Sequence, residues 1–288
     1  SVDLDAHGRL LVADEDNRCV RAVSLDGETT TIGGVDGPKF EGAPTGTVVA
    51  KDGTIFVSTY EGSHTVCILS ADGAITTFAG GHAAGFKDGR GEAARFRNPT
   101  GMAMGPDGWL YVADTDNHSI RCVSREGNVS TFAGRPWEHG EQRESIDGDL
   151  TVARFYLPYA VAVASDGTIY VGEDLGKRVR QIREGVVSTV CRCEGSVRGL
   201  FLDESEGLLY ATARHRILTV AVDTARQAFL TRVDPVLRTW CLMQEGRAQM
   251  IPAAEAEDAP AARARNTLRL LMRCPIADVA FRVCTFVF

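Results

Sequence analysis

Short runs of apolar residues, each interrupted by a glycine-containing turn, recur along residues 1–220 of this chain. In a typical unit, Ala160-Val-Ala-Val163 precedes Asp166-Gly167, and Thr168-Ile-Tyr-Val-Gly-Glu173 follows it. Asp-Gly readily adopts the positive φ of a tight hairpin, so the pattern predicts two antiparallel strands around each turn. The first-turn glycines of the five units are Gly8, Gly53, Gly108, Gly167 and Gly207.

Each of the first four units contains a second turn, which comes 18 to 20 residues after the first. Asp72-Gly73, for example, is followed by the β-rich run Ala74-Ile-Thr-Thr-Phe78, and a polar loop separates the two middle strands. Four short antiparallel strands in one such unit describe a blade of a β-propeller. We therefore predict an all-β fold over residues 1–233, a β-propeller of four-stranded antiparallel blades with about five blades visible. Residues 234–251 are assigned to part of a sixth blade or to an extension.

Three sequence motifs recur in register along the chain. The first is Tyr111-Val-Ala-Asp-Thr-Asp-Asn-His-Ser-Ile-Arg121, which is echoed by residues 11–21. The second is Thr-Phe-Ala-Gly at 77–80 and again at 131–134, and the third is the connector Asp88-Gly89…Ala94-Arg95-Phe96…Pro99, repeated at 147–158. In these motifs the chain resembles the NHL-repeat family, which implies a β-propeller, commonly with six blades.

The polar loop of each unit is rich in Asp and Asn, which are residues that calcium favours as ligands. These residues recur once per unit where a strand ends, however, and there Asp and Asn side chains commonly bond to nearby backbone N–H groups. We therefore predict structural roles, no metal and no cofactor, with the two connector phenylalanines wedged between blades. The predicted structural residues are Asp14, Asn17, Arg21, Asp114, Asn117, Arg121, Phe96 and Phe155.

Strand direction sorts the loops onto two faces. Both glycine turns of a unit fall on one face, here called the turn face, and the polar loops and long connectors are expected on the opposite, polar-loop face. Variable loops on a rigid scaffold usually carry recognition, and large aromatic residues are favoured interface anchors. The predicted partner-binding residues are Tyr60, His64, Phe86, Arg90, Trp137, His139, Tyr156 and Tyr159.

Charge favours a protein partner over a nucleic acid. The chain has a formal net charge of −7, and its polar loops and connectors carry 17 acidic and 11 basic residues. A general nucleic-acid binder needs a basic face to displace counterions. An RNA-binding propeller remains the alternative, since some family members bind RNA and Lys87, Arg90, Arg95 and Arg97 form one basic cluster.

Catalysis is the other alternative, as a metal-dependent lactonase-like or lyase-like propeller. Such enzymes hold a metal with side chains that converge on the propeller axis, and the sequence contains no matching motif. It also lacks a Gly-x-Ser-x-Gly elbow and a phosphate-binding loop. We therefore predict a non-enzymatic protein.

The eight cysteines are scattered, and a chain of 288 residues does not need disulfides to be stable. We expect reduced cysteines and an intracellular location, in cytoplasm or nucleus. No apolar run approaches the roughly 20 residues that span a bilayer, so no membrane association is predicted.

The C-terminal part changes character. Residues 252–267 are rich in Ala, Pro and charge and are predicted to form a linker. In residues 268–288, Asp278-Val-Ala-Phe281-Arg-Val283 resembles the first strand of a BTB/POZ domain. We expect a fragment of a longer protein, and BTB domains joined to propellers commonly serve as adaptors for ubiquitin ligases. The predicted function is therefore a protein-interaction scaffold that captures the substrate of such a ligase.

Overall fold

A computed structural model describes residues 2–34, 39–138 and 140–222. Within them the predicted fold is confirmed as a five-bladed β-propeller of antiparallel sheets. Blade 1 consists of β1 (Val2–Leu4), β2 (Leu10–Asp14), β3 (Cys19–Val23) and β4 (Thr29–Gly33). Blade 2 consists of β5 (Ala43–Val49), β6 (Ile55–Tyr60), β7 (Thr65–Leu69) and β8 (Ile75–Gly80).

Blades 3 and 4 each gain a fifth, outermost strand from the connector that leads into them. Blade 3 consists of β9 (Gly89–Arg90), β10 (Pro99–Met104), β11 (Leu110–Asp114), β12 (Ser119–Val123) and β13 (Asn128–Gly134). Blade 4 consists of β14 (Gly148–Asp149), β15 (Pro158–Val163), β16 (Ile169–Glu173), β17 (Arg178–Arg183) and β18 (Val186–Arg192). Blade 5 shows β19 (Val197–Asp203), β20 (Leu208–Ala213) and β21 (Arg216–Ala221) in its described part.

The innermost strand of each blade contacts that of the next, from β1 through β5, β10 and β15 to β19. These strands enter from the polar-loop face, so their first residues surround the propeller axis there. The first-turn glycines lie on the opposite face with positive φ, as at Gly53 (87°) and Gly167 (85°). The aspartate before the glycine fixes the turn, because Asp52 Oδ1 accepts the N–H of Thr54 at 2.9 Å.

Buried phenylalanines from the connectors pack between adjacent blades. Phe96 is fully buried with Val66 of blade 2 and Val112 of blade 3, and Phe155 occupies the corresponding position between blades 3 and 4. Phe40, which the sequence analysis did not single out, packs with Val20 of blade 1 and Val57 of blade 2. Close-packed aromatic contacts of this kind hold successive blades in a fixed relation.

The connectors do not stay on the polar-loop face, and this part of the sequence prediction is wrong. Gly89 and Arg90 pair with Val129 and Asn128 at the start of β13, which begins at the turn face. Arg90 Nε donates a hydrogen bond to the carbonyl of Glu126 at 3.4 Å. The middle of each connector therefore runs down the outer edge of a blade, because two backbone pairs extend the sheet there.

A compact unit of residues 1–227 contains every described strand. The predicted partial blade at 234–251, the linker at 252–267 and the BTB-like tail at 268–288 lie outside the described residues. No helix in the described ranges is long and apolar enough to cross a membrane.

Candidate functional site

A buried ion network supports the polar loop of blade 3. The fully buried Arg121 donates to Asp114 at 2.8 Å and to Asp88 of the connector at 2.5 Å. Asn117 donates to the same Asp114 carboxylate at 2.8 Å, and Phe86 lies on the guanidinium at 4.7 Å. Burial raises the pKa of Asp114, while Arg121 and these donors act against that rise. The network ties loop, connector and strand together.

Blade 4 repeats this ion network, with Glu173 at the position of Asp114. Arg180 donates to Glu173 at 2.9 Å and to Asp147 at 2.6 Å, and Phe155 lies 5.3 Å from its guanidinium. In blade 1, Arg21 and Asn17 bond to Asp14 at 2.6 and 2.8 Å, but this pair is partly exposed.

Blade 2 replaces the ions with hydroxyl groups and a thiol. Cys67 faces Val57 in the sheet as Arg121 faces Val112 in blade 3, so the thiol occupies the position of the arginine. Thr59 and Ser63 are bonded at 2.6 Å, and Thr65 Oγ1 lies 2.8 Å from Thr59 Oγ1. The smaller side chains leave a cavity of about 100 Å³ lined by Lys39, Glu41, Ser63, Thr65, Cys67, Ile75 and Thr77.

Two loop histidines act as backbone acceptors. His64 Nδ1 accepts the N–H of Asn98 at 3.2 Å, and His118 Nδ1 accepts that of Leu157 at 3.1 Å. Both histidines have positive φ, 48° and 53°. Burial, followed by the charges of Arg143 and Arg97, lowers the pKa of His118 to about 4, so this imidazole is neutral near pH 7. It is therefore suited to accept the N–H.

In blades 2 to 5 the pairing of the innermost strand is interrupted near its start by a β-bulge or irregularity. The register skips Thr45 between Pro44 and Gly46, and Tyr159 between Pro158 and Ala160. It skips Thr100 and Gly101 in blade 3 and Arg198 in blade 5. In blades 2 to 4 the proline of the innermost strand pairs with the last or next-to-last residue of the second strand. The residue that directly follows this partner is the second position of the blade. Those second residues are Tyr60, Thr115 and Asp174, with Glu15 at the matching position of blade 1.

Threonines at these positions bond to the neighbouring blade. Thr45 Oγ1 donates to the carbonyl of Pro99 at 3.2 Å. Thr100 Oγ1 donates to the carbonyl of Tyr159 at 2.8 Å, and Thr115 Oγ1 donates to that of Pro158 at 2.7 Å. Their polar atoms are therefore used within the scaffold.

The same positions elsewhere carry larger, charged or aromatic side chains, and we call Glu15, Tyr60, Tyr159, Asp174 and Arg198 the axial cluster. Arg198 donates to Asp174 Oδ2 at 2.8 Å, and its guanidinium lies 5.2 Å from the centre of the Tyr159 ring. The Arg198 side chain is 60% exposed, whereas that of Asp174 is 11% exposed. Asp174 Oδ1 is buried without a hydrogen-bond partner in the described residues.

The charges of the axial cluster act on one another across the axis. Burial raises the pKa of Tyr159, and the carboxylates of Glu15 and Asp174 raise it further, against Arg198. Burial also raises the pKa of Tyr60, together with Glu61, Asp116 and Glu15. The cluster thus joins residues of blades 1, 2, 4 and 5 into one electrostatic unit.

The structure brings only some of the predicted partner-binding residues together. Tyr60 and Tyr159 lie in the axial cluster, while the rings of Trp137 and Tyr156 lie 5.9 and 6.0 Å from that of His118. Phe86 is 40% exposed and lies on the buried Arg121. Arg90 lies near the turn face, and His139 lies outside the described residues.

Sequence reasoning missed Glu15, Asp174 and Arg198. Asp174 could have been found by aligning the units at Pro44, Pro99 and Pro158, which places Tyr159 opposite Thr100 and Asp174 opposite Thr115. The innermost strand of blade 5 has no such proline, so this alignment does not reach Arg198. Among residues 2–34, 39–138 and 140–222, no group of three His, Cys, Asp or Glu side chains is placed to hold a metal ion.

Comparison with known proteins finds a family match within blade 3 and the connector that leads into it. Residues 96–123 match the family model of the NHL repeat. NHL repeat-containing protein 2 of Gallus gallus is 39% identical over 87 residues, which cover 30% of this chain and 12% of that protein. This chain therefore spans only a small part of such a relative.

Solved structures share the propeller fold at low identity. A gluconolactonase from Xanthomonas campestris superposes with a TM-score of 0.58 at 20% identity, covering 77% of this chain and 71% of that chain. A catalytically inactive variant of virginiamycin B lyase from Staphylococcus aureus gives 0.50 at 13% identity, covering 77% and 69%. At such identities the likeness is one of fold, so it supports the β-propeller and carries no activity over to this chain.

Proposed function

We propose that the polar-loop face, centred on the axial cluster, is the recognition surface of a non-enzymatic, protein-binding propeller. One observation carries this proposal. At backbone positions where Thr45, Thr100 and Thr115 bond to the scaffold, other blades present Tyr159, Asp174 and Arg198. The Arg198–Asp174 pair also links blades 5 and 4, but the Arg198 side chain is 60% exposed, so a partner can reach these groups.

The composition of the cluster suits a protein interface. Tyrosine and arginine are enriched among the residues that contribute most to protein–protein binding, and their contribution is largest near the centre of an interface. Tyr60 and Tyr159 are partly buried, so their rings lose little side-chain freedom on binding. The rigid inner strands beneath them keep the cluster preorganised.

The adaptor role is the finer form of this proposal. It rests on the BTB-like residues 278–283, which lie outside the described part of the chain. In that form, the propeller would capture a substrate and a following domain would connect it to a ubiquitin ligase. The recognition surface itself does not depend on that role.

Exchange of one blade's residues for those of its neighbour tests the proposal. In the double variant Tyr159→Thr/Asp174→Thr, blade 4 carries the residue type that blade 3 has at both positions. Proteins captured from a lysate by the wild type are identified by mass spectrometry, purified and then titrated directly. We expect the double variant to bind the purified partner at least about tenfold more weakly, as for the loss of a central anchor.

A matched control changes an aromatic residue on the turn face. Trp109 is 38% exposed beside the first turn of blade 3, so Trp109→Thr removes an aromatic ring from the turn face. This control is expected to bind like the wild type. Equal affinity of the double variant and the wild type for the partner contradicts the proposal.

A further inference from the structure

The axial cluster contains two tyrosines in similar surroundings, of which only one has a cation on its ring. Arg198 lies over Tyr159 at 5.2 Å and is held there by Asp174 at 2.8 Å. In the described residues no Lys or Arg side chain stacks on Tyr60 in this way. The Tyr159 site thus shows how this propeller accommodates a guanidinium, between an aromatic face and a carboxylate.

The surroundings of Tyr60 are acidic. Glu61 is its chain neighbour, and the Glu61 N–H donates to Asn98 Oδ1 at 3.3 Å. Glu15 has in blade 1 the register position that Tyr60 has in blade 2, and the carboxylates of Asp116 and Glu15 both raise the pKa of Tyr60. Asp116 accepts a hydrogen bond from the amide of Asn98 at 2.7 Å, which leaves its charge in place. No salt bridge within the described ranges neutralises Glu15, Glu61 or Asp116.

The cation that acts on Tyr60 does not balance these charges. Arg198 acts on Tyr60 from blade 5, but its guanidinium is already paired with Asp174. Asp174 itself is nine-tenths buried, and its Oδ1 has no hydrogen-bond partner in the described part of the chain. A buried carboxylate oxygen without a donor is costly, so one more donor at the axis would be stabilising.

We propose that Tyr60, together with Glu15, Glu61 and Asp116, receives a lysine or arginine side chain of the protein partner. This inference rests on the proposed recognition function and names the chemistry of the incoming group. The cation would lie on the Tyr60 ring as Arg198 lies on Tyr159, with the three carboxylates around it. An arginine also brings several N–H donors, of which one could reach Asp174 when the exposed Arg198 side chain moves aside.

The direct test uses blocked pentapeptides of sequence Gly-Gly-X-Gly-Gly, in which X is arginine, lysine, citrulline or glutamate. Citrulline has nearly the shape of arginine without the charge. Binding to the whole chain is followed by NMR, through the ring signals of Tyr60. We expect arginine and lysine peptides to bind with similar affinity, and the citrulline peptide about fivefold more weakly.

Two carboxylates of blade 1 provide a matched pair of variants. Glu15→Gln removes a charge from the axial cluster, whereas Glu28→Gln removes the same charge at the second turn, on the turn face. We expect Glu15→Gln to weaken arginine-peptide binding about threefold and Glu28→Gln to leave it unchanged. Tyr60→Leu removes the aromatic face, so its binding is followed through the ring signals of Tyr159, and it should be weaker by a similar factor.

Several results overturn the inference. These are equal affinity for the arginine and citrulline peptides, stronger binding of the glutamate peptide, or equal losses in Glu15→Gln and Glu28→Gln. Its failure is distinguishable from that of the recognition function. If Tyr159→Thr/Asp174→Thr still loses the purified protein partner, the recognition surface stands and only the cationic ligand is wrong.

Discussion

Around the propeller axis, blades 2 and 3 form a threonine side with Thr45, Thr100 and Thr115, and blades 4 and 5 form a charged side with Tyr159, Asp174 and Arg198. The two sides use equivalent backbone positions for different purposes. Thr100 and Thr115 donate to carbonyl groups of the next innermost strand. Tyr159 and Asp174, one blade further along, occupy the same register positions but hold the exposed Arg198 instead. The comparison suggests that repeat positions can serve recognition where their side chains contact an exposed side chain of the next blade and not its backbone.

The first way to break this comparison is to destroy the scaffold that both sides share. Arg121→Met removes the cation from a buried network and leaves Asp114 and Asp88 without their partner. Removing one member of a buried ion pair commonly costs about 3–5 kcal/mol of unfolding free energy. Urea denaturation measures this loss, with the exposed Arg125→Met of the turn face as a control that should change little. A loss no larger than that of the control contradicts a structural role for Arg121.

The threonine side is tested by Thr115→Val, which keeps the shape and removes the hydroxyl. The carbonyl of Pro158 and the hydroxyl of Thr100 each lose a contact of 2.7 Å. We expect the unfolding free energy to fall by about 1–2 kcal/mol, with partner binding unchanged. Thr29→Val, at an exposed position of β4, is the matched control for the denaturation experiment. A binding defect of Thr115→Val without loss of stability would reverse the assignment of the two sides.

The charged side should behave in the opposite way. Tyr159→Thr/Asp174→Thr removes groups that bond to Arg198, whose side chain is 60% exposed, so its loss as a partner is small. The ion pair is only partly exposed and Tyr159 is half-buried, so the loss of ring packing adds to the loss of the pair. The unfolding free energy should therefore fall by no more than about 2 kcal/mol. A loss comparable to that of Arg121→Met would mean that the axial cluster is a structural joint as well.

The last test concerns pH and the loop histidines. The pKa of His118 is about 4 in the folded protein, below its ordinary value of 6.5. The unfolded chain therefore binds this proton more readily, and stability falls as the pH drops from about 6.5 towards 4. Asparagine tolerates positive φ but does not take up this proton. The melting temperature of His118→Asn should therefore fall less than that of the wild type between pH 7 and pH 4.5. Parallel melting curves for the variant and the wild type contradict this prediction.

The sequence was sufficient to predict the blades but only part of the axial cluster. Glycine turns and strand alternation are local signals, and they placed Tyr60 and Tyr159 on the polar-loop face. Asp174 of blade 4 and Arg198 of blade 5 meet because of a β-bulge in β19, and a bulge shifts a residue out of simple alternation. Blade 5 also departs from the repeat, so Arg198 had no motif around it.

Arg90 was misplaced for a related reason. Its connector forms the fifth strand of blade 3 through pairing with residues about 40 positions later, and no local pattern reports such pairing. Cys67 occupies the position that an arginine has in other blades, and the strand register, not the residue type, reveals this equivalence. Contacts between distant segments, more than local propensity, determined which expectations failed.

Hydroxyl-radical footprinting of the wild-type chain, free and bound to its purified partner, tests the central claim without any substitution. The rings of Tyr60 and Tyr159 should be protected from oxidation in the complex, because they lie in the proposed recognition surface. Trp109, at the first turn of blade 3 and 38% exposed, should be oxidised equally in both states. Protection of Trp109 with unchanged oxidation of Tyr60 and Tyr159 would contradict the account, because the partner would then bind the turn face.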